Sequence, residues 1–199
     1  MNRLLLLLIF IPVLSLAQRK SYEIKLGGGM ANLFYTPNKT NYKMYEHLEF
    51  LYRFNSIQTG ISYEQKGAAF KEEFSNIMAY YTIKYNYLTI PIYFHLELPN
   101  KFYLRPEIYY SYMISSIMKE KTDYSMTKWN VTDKTTGLLR HDAGFGLLFG
   151  RSIKLKDKLQ MIVELKSAIG CLPTAKTKYD QLKSFNYCFS LSTGFLFNQ

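Results

Sequence analysis

Between Tyr87 and Tyr112 the chain reads YLTIPIYFHLELPNKFYLRPEIYYSY, and apolar residues fall on every second position. Leu88, Ile90, Ile92, Phe94, Leu96 and Leu98 come first, then Phe102, Leu104, Pro106, Ile108, Tyr110 and Tyr112. Thr89, Tyr93, His95, Glu97, Arg105, Glu107 and Ser111 occupy the intervening positions. A period of two puts each set on its own face of an extended chain, so the stretch predicts two strands joined by Pro99-Asn100-Lys101.

Six further segments repeat the pattern. The first runs from about Tyr22 to Asn32, with Tyr22, Ile24, Leu26, Gly28 and Met30 on one face. The second carries Leu48, Phe50, Tyr52 and Phe54, and the third Ile57, Thr59, Ile61 and Tyr63. The sixth holds Phe145, Leu147 and Phe149 behind His141 and Ala143, and the seventh Leu159, Met161, Val163, Leu165 and Ile169. Tyr187, Phe189, Leu191, Phe195 and Phe197 mark the eighth. Pairing across the short turns keeps like with like. Phe54 faces Ile57 over Asn55-Ser56, and Arg53 meets Gln58 on the other side. Leu96 faces Leu104, and His95 opposes Arg105.

The links alternate in length. Long ones span Leu33 to Met44, Lys66 to about Tyr81, Ile117 to Leu138, and Gly170 to Ser184. Between them lie Asn55-Ser56, Pro99-Asn100-Lys101 and the shorter stretch Arg151 to Lys158. Short turns at one end and long connections at the other are the habit of outer-membrane barrels. The predicted fold is therefore all-β: an eight-stranded antiparallel up-and-down transmembrane β-barrel with a polar, side-chain-filled lumen. A secreted soluble barrel is the competing architecture, and it gives no reason to keep every long link at one end.

That choice decides what the polar faces mean. They collect Glu23, Lys25, His47, Glu49, Arg53, Glu64, His95, Glu97, Arg105, Glu107, Asp142, Glu164 and Lys166. Eight strands enclose a space just wide enough for side chains. Seven carboxylates against four Lys/Arg and two His then form a mixed-sign plug, because charges buried singly are costly. Glu49, Arg53, Glu64, His95, Glu97, Arg105, Glu107, Glu164 and Lys166 are the candidate network. Tyr22, Phe54, Phe102, Phe195 and Phe197 near the turns, and Tyr45, Tyr63, Tyr85, Tyr112 and Tyr187 near the long links, are expected to form aromatic girdles. Pro91 and Pro106 fall inside strands of a barrel without edges, and bulges are expected there.

Composition agrees with a barrel. Aromatic residues make up 17% of the chain, with 18 Tyr and 14 Phe. A mean hydropathy just below zero fits strands that turn half their residues to a polar interior. Met1-Asn2-Arg3, the apolar run LLLLLIFIPVLSL and Ser15-Leu16-Ala17 have the form of a cleaved signal peptide over residues 1–17, leaving a barrel domain over 18–199. Export to the outer membrane of a Gram-negative bacterium follows. The formal charge of +10 does not point to nucleic acid, since the protein is exported and its lysines are scattered. Lipid headgroups and lipopolysaccharide are the expected partners for that charge. Cys171 and Cys188 are candidates for a disulfide across the last link.

The opening stretch resembles the recurring Tyr-Leu-x-Ile-Pro strand of the PorT-like outer-membrane β-barrel family, followed by a short turn and a second strand with a Pro, here YLRPEIYYSY. HDAGFGLLFG resembles that family's Gly-alternating sixth strand, and FSLSTGFLF its closing strand. The resemblance covers nearly all of the chain after residue 17. It implies an eight-stranded outer-membrane barrel and, for some members, a link to a machinery that secretes surface proteins. One departure is the end, Phe197-Asn198-Gln199, where the aromatic is not terminal.

Candidate chemistry is sparse. Gly27-Gly28-Gly29 lacks the strand–loop–helix setting of a phosphate loop and is read as easing strand curvature. No metal site or cofactor is expected, since no Cys or third His joins His47 and His95 at ligand spacing. The reading is non-enzymatic, with external loops making partner or surface contacts, including envelope or secretion-system proteins. Its rival is a lipid A-modifying hydrolase with His141 at the outer rim, near Ser115 and Ser116. Asp142, next to His141 on the strand, points the opposite way and is poorly placed to orient it.

Overall fold

The computed structural model describes residues 20–34, 40–74, 77–122, 126–130, 140–173, 175–176 and 183–198. Eight long strands form the wall: β1 (Lys20–Phe34), β2 (Lys43–Phe54), β3 (Ile57–Phe74), β4 (Ile77–Phe94), β5 (Phe102–Thr122), β6 (His141–Lys156), β7 (Leu159–Gly170) and β8 (Lys183–Asn198). Each pairs antiparallel with the next, and β1 pairs with both β2 and β8, so the sheet closes on itself. Tyr22, for example, stands opposite Tyr52 on one side and Phe197 on the other. Closure leaves the wall with no edge, the condition for strands to cross hydrocarbon.

Asparagines fix the register at two turns. Asn55, Asn100 and Lys101 adopt left-handed φ values of 55°, 59° and 63°, and asparagine tolerates that region better than most residues. Phe54 pairs with Ile57, and the short strand Leu96–Glu97 pairs Leu96 with Leu104, as parity requires. Leu98 N–H donates to the Phe102 carbonyl at 2.8 Å and closes the second turn.

Even-numbered residues of β1, β2 and β4 face outward, and the outer wall is a continuous apolar coat. Leu26, Phe50, Ile90, Ile108, Phe145, Leu165 and Leu191 are each exposed by 45% or more. Water would not tolerate an apolar surface of that extent, and lipid removes the difficulty.

Strand length corrects part of the loop pattern. β3 and β4 have 18 residues each and β5 has 21, whereas about 9–11 residues cross a bilayer. The link expected over Lys66–Tyr81 is largely strand, and the one expected from Ile117 holds the end of β5 and the short strand Met126–Asn130: Phe74 pairs with Ile77, and Ile117 pairs with Asn130. The hairpins continue past the barrel at the end opposite the short turns. Alternation fades there because both faces of the sheet leave lipid and lumen, which removes the pressure that separates apolar from polar positions.

The prolines correct a second expectation. On either side of Pro91 the β3–β4 pairs Thr59↔Ile92 and Ser62↔Thr89 share one register, so no bulge forms. The ladder skips two pairs instead, and the Thr59 hydroxyl donates to the Pro91 carbonyl at 2.8 Å. Pro106 likewise sits where pairing to β4 lapses, between Tyr93↔Glu107 and Leu96↔Leu104, again in one register. Register shifts lie elsewhere, between Asn86 and Tyr87 in the β4–β5 pairing and between Leu159 and Gln160 in the β6–β7 pairing.

Candidate functional site

The lumen is where the chain's chemistry gathers. Inward positions of six of the eight strands, all but β4 and β8, bring together six carboxylates and four cations, all buried. Near the short turns Arg105 of β5 binds Glu23 of β1 through both terminal nitrogens, at 2.5 and 2.8 Å. Its Nη1 also lies 2.8 Å from Glu164 of β7. Glu164 in turn holds Lys25 at 2.7 Å, and Lys25 holds Glu49 at 2.7 Å. Lys166 continues the chain with Glu64 at 3.0 Å and Glu107 at 2.9 Å, and lies 3.9 Å from Glu49. Lys66, at the outer end, bridges Glu64 at 3.4 Å and Asp142 at 3.1 Å.

Charges of opposite sign therefore alternate along the barrel from Glu23 to Asp142. Separately, each ion would pay several kcal/mol of desolvation; contacts on several sides offset that cost. Tyrosines supply further contacts. Tyr103 donates to Glu164 at 2.7 Å while the Arg105 guanidinium lies 4.4 Å from its ring centre. Lys66 sits 4.2 Å above Tyr109, whose hydroxyl reaches Asp142 at 3.4 Å. Lys25 lies 5.1 Å from the ring of Tyr93, which donates to Glu49. One phenol thus serves an anion at its hydroxyl and a cation at its face.

Glycines on β6 make this packing possible. A Cβ on Gly146 would stand 2.2 Å from Glu107 Oε2, and one on Gly150 would meet the Tyr103 ring at 2.5 Å. The Gly-alternating sequence HDAGFGLLFG is the space that Glu107 and Tyr103 occupy.

Of the residues expected in the network, Glu49, Glu64, Arg105, Glu107, Glu164 and Lys166 meet one another in the lumen. Arg53 lies nearer the mouth, where its Nε donates to Ser21 at 3.1 Å. His95 is half-buried, and its Nδ1 accepts from Arg105 Nε at 2.8 Å. Glu97 is a correction: it is exposed in the turn-side mouth, outside the ionic chain. Parity gives a residue's face but not its depth, and Glu97 lies beyond the end of β4.

The proposed disulfide is also corrected. Both thiols are free, Cys188 buried and Cys171 exposed. Cys188 pairs in register with Ala168, while Cys171 comes after the end of β7, so the two differ in both height and face. Tyr45 and Tyr85, expected in the outer girdle, are buried inside the barrel. Tyrosine suits an interface and a polar lumen equally, and only their odd positions distinguished them. Lys66 and the tyrosines at 87, 93, 103 and 109 join the network beyond the residues expected from sequence. Their signal was the same parity: each lies on the inward face of its strand.

His141 is exposed on the outer face of the wall at the far end from the short turns. Its Nδ1 meets the Tyr110 hydroxyl at 2.5 Å, and the Tyr112 ring packs edge-on at 5.4 Å. Asp142 is across the wall, bound to Lys66, and Ser115 accepts from Asn86 at 2.7 Å. The carboxylate of a nucleophile–base–carboxylate arrangement is thus committed elsewhere. Among the described residues no three His, Cys, Asp or Glu side chains gather to hold a metal ion.

Comparison with known proteins places this barrel. A sequence profile described as "Outer membrane protein beta-barrel domain" matches residues 17–199. The chain belongs to that family. As an outer membrane protein beta-barrel domain, it sits in the outer membrane of a Gram-negative cell, with its apolar coat against lipid. Among solved structures it is similar to neisserial surface protein A, with 11% identity over 89% of this chain and 96% of that one, at a TM-score of 0.49. The attachment invasion locus protein Ail of Yersinia pestis gives 12% identity over 89% and 98%, at a TM-score of 0.47. The N-terminal barrel of Pseudomonas aeruginosa OprF gives 11% identity over 90% and 99%, at 0.39. No curated protein sequence matches the chain.

Proposed function

We propose that this outer-membrane barrel is a non-enzymatic, sealed platform whose protruding hairpins contact a partner protein or the cell surface. The observation that carries this reading is the ionic chain from Glu23 to Asp142, which occupies the lumen where a pore would run. A filled lumen leaves the outer end as the working surface. There β3, β4 and β5 extend beyond what a bilayer needs. Residues 1–17 are removed as a signal peptide, and the PorT-like pattern around Pro91 favours an envelope or secretion-system protein as the partner. Lipopolysaccharide is the surrounding ligand, with Arg140 and His141 among the aromatic residues of the outer rim.

A photo-crosslinking residue at Tyr80, exposed on the protruding part of β4, tests this in native membranes. A discrete protein adduct at Tyr80, absent when the label is placed at Leu165, is the expected result. Adducts with lipid alone at both positions would contradict it. Incubation with lipopolysaccharide separates the hydrolase alternative: loss of an acyl chain that depends on His141 would overturn the non-enzymatic reading.

A further inference from the structure

The mouth at the short-turn end is a second site, unrelated to the protruding hairpins. It opens as a cavity of about 590 Å³. Lys20, Arg53, Lys101 and Lys154 line it, and Glu97 is the one acidic residue among its lining. These four cations come from β1, β2, the β4–β5 turn and β6, so they surround the opening instead of forming one cluster. Lys154 also pairs with Asp157 at 2.8 Å, but both side chains are largely exposed, and such pairs hold weakly and exchange readily.

The floor beneath the ring is neutralised within the ionic chain. Arg105 turns its Nε to His95 and keeps its terminal nitrogens on Glu23 and Glu164, so its charge is balanced inside the lumen and the rim carries the attraction. The His95 ring lies against Tyr103, 5.0 Å between centres. An anion entering the bowl meets the four cations of the rim, with His95 at the wall. Concave walls of low dielectric concentrate the field of such a ring. Short turns mark the periplasmic end of these barrels, so the bowl opens to the periplasm.

We infer that the periplasmic mouth of this barrel is a docking site for an acidic peptide segment of a periplasmic protein. Cations spread over four elements cannot all reach one phosphate, whereas carboxylates spaced along an extended chain can meet them in turn. Leu98 and Phe102 line the same cavity and suit apolar residues alternating with the acidic ones. The inference is independent of what the external hairpins bind.

Fluorescence anisotropy on the purified full-length barrel in zwitterionic detergent tests it. The probes are a labelled peptide of about eight residues alternating Glu with Leu, its Gln counterpart, and sodium tripolyphosphate as competitor. The acidic peptide is expected to bind, to weaken as salt rises, and to lose about tenfold in affinity in Lys101→Glu/Lys154→Glu. Both lysines are exposed, so folding should persist, checked by the heat-dependent shift in electrophoretic mobility. Arg140→Glu, at the opposite end, should bind as the parent does. Equal binding of the Gln peptide, or an unchanged affinity in the double variant, would overturn the site. Displacement by tripolyphosphate at concentrations well below those of free acidic peptide would assign the bowl to phosphates and overturn the peptide.

Discussion

Arg105 and Glu23 join opposite walls of the barrel. They stand on β5 and β1, four strands apart in either direction around the ring, and meet through two nitrogen–oxygen contacts of 2.5 and 2.8 Å. A paired fork of this kind is the strongest contact a guanidinium makes with a carboxylate. It ties together walls that the backbone ladder connects only indirectly.

Replacing Arg105 by Met should therefore destabilise the barrel by about 3–5 kcal/mol, because Glu23 is left buried without its paired cation and Glu164 keeps only Lys25. Adding Glu23→Gln should recover part of that loss, with a coupling of about 1–3 kcal/mol. Urea unfolding in detergent micelles, followed by circular dichroism, measures both. Additive losses would mean that the two side chains do not interact as described.

The lipid coat makes a depth-dependent prediction. Leu165, outward at the middle of β7, should cost about 2–4 kcal/mol when changed to Arg, and Ile169, near the outer end, about 0–1 kcal/mol. Folding yield into phospholipid vesicles reports the order. A soluble barrel would accept both arginines with little loss.

The two cysteines should behave as separate thiols. In intact outer membranes a maleimide reagent should label Cys171 and leave Cys188 unlabelled until the barrel is unfolded. Electrophoretic mobility should be the same with and without reductant. A mobility difference that disappears in Cys171→Ser would show a bridge and contradict the geometry.

The sealed lumen predicts no passage for small solutes. Vesicles containing the purified protein should not swell in an isotonic pentose solution. Swelling at a rate that rises with protein content would mean that the chain from Glu23 to Asp142 does not fill the channel.

The residues that were legible in the sequence, and those that were not, divide along physical lines. Phe54↔Ile57 and Leu96↔Leu104 could be read because lipid and lumen impose opposite demands on neighbouring positions. That pressure stops at the membrane boundary. By sequence Lys66 looks like the start of a link because Gly67-Ala68-Ala69-Phe70 beyond it no longer alternates, although the strand continues. Glu97 shares the lumen parity because the alternation continues past the end of β4, into the exposed mouth. Tyr45 and Tyr85 carried an ambiguous side chain on an unambiguous face. Which carboxylate meets which cation was not legible at all, since partners such as Lys25 and Glu164 lie 139 residues apart and meet only after closure.

The central claim is that one face of each strand meets lipid and the other meets a packed, polar interior. Nitroxide labels placed one at a time from Leu104 to Tyr112, in a Cys171→Ser/Cys188→Ser background reconstituted in lipid vesicles, test it most directly. Power-saturation measurements should show oxygen accessibility rising at even positions and falling at odd ones, with water-soluble nickel chelate excluded from the even set. Even positions open to the nickel chelate, or accessibility without a period of two, would contradict the account.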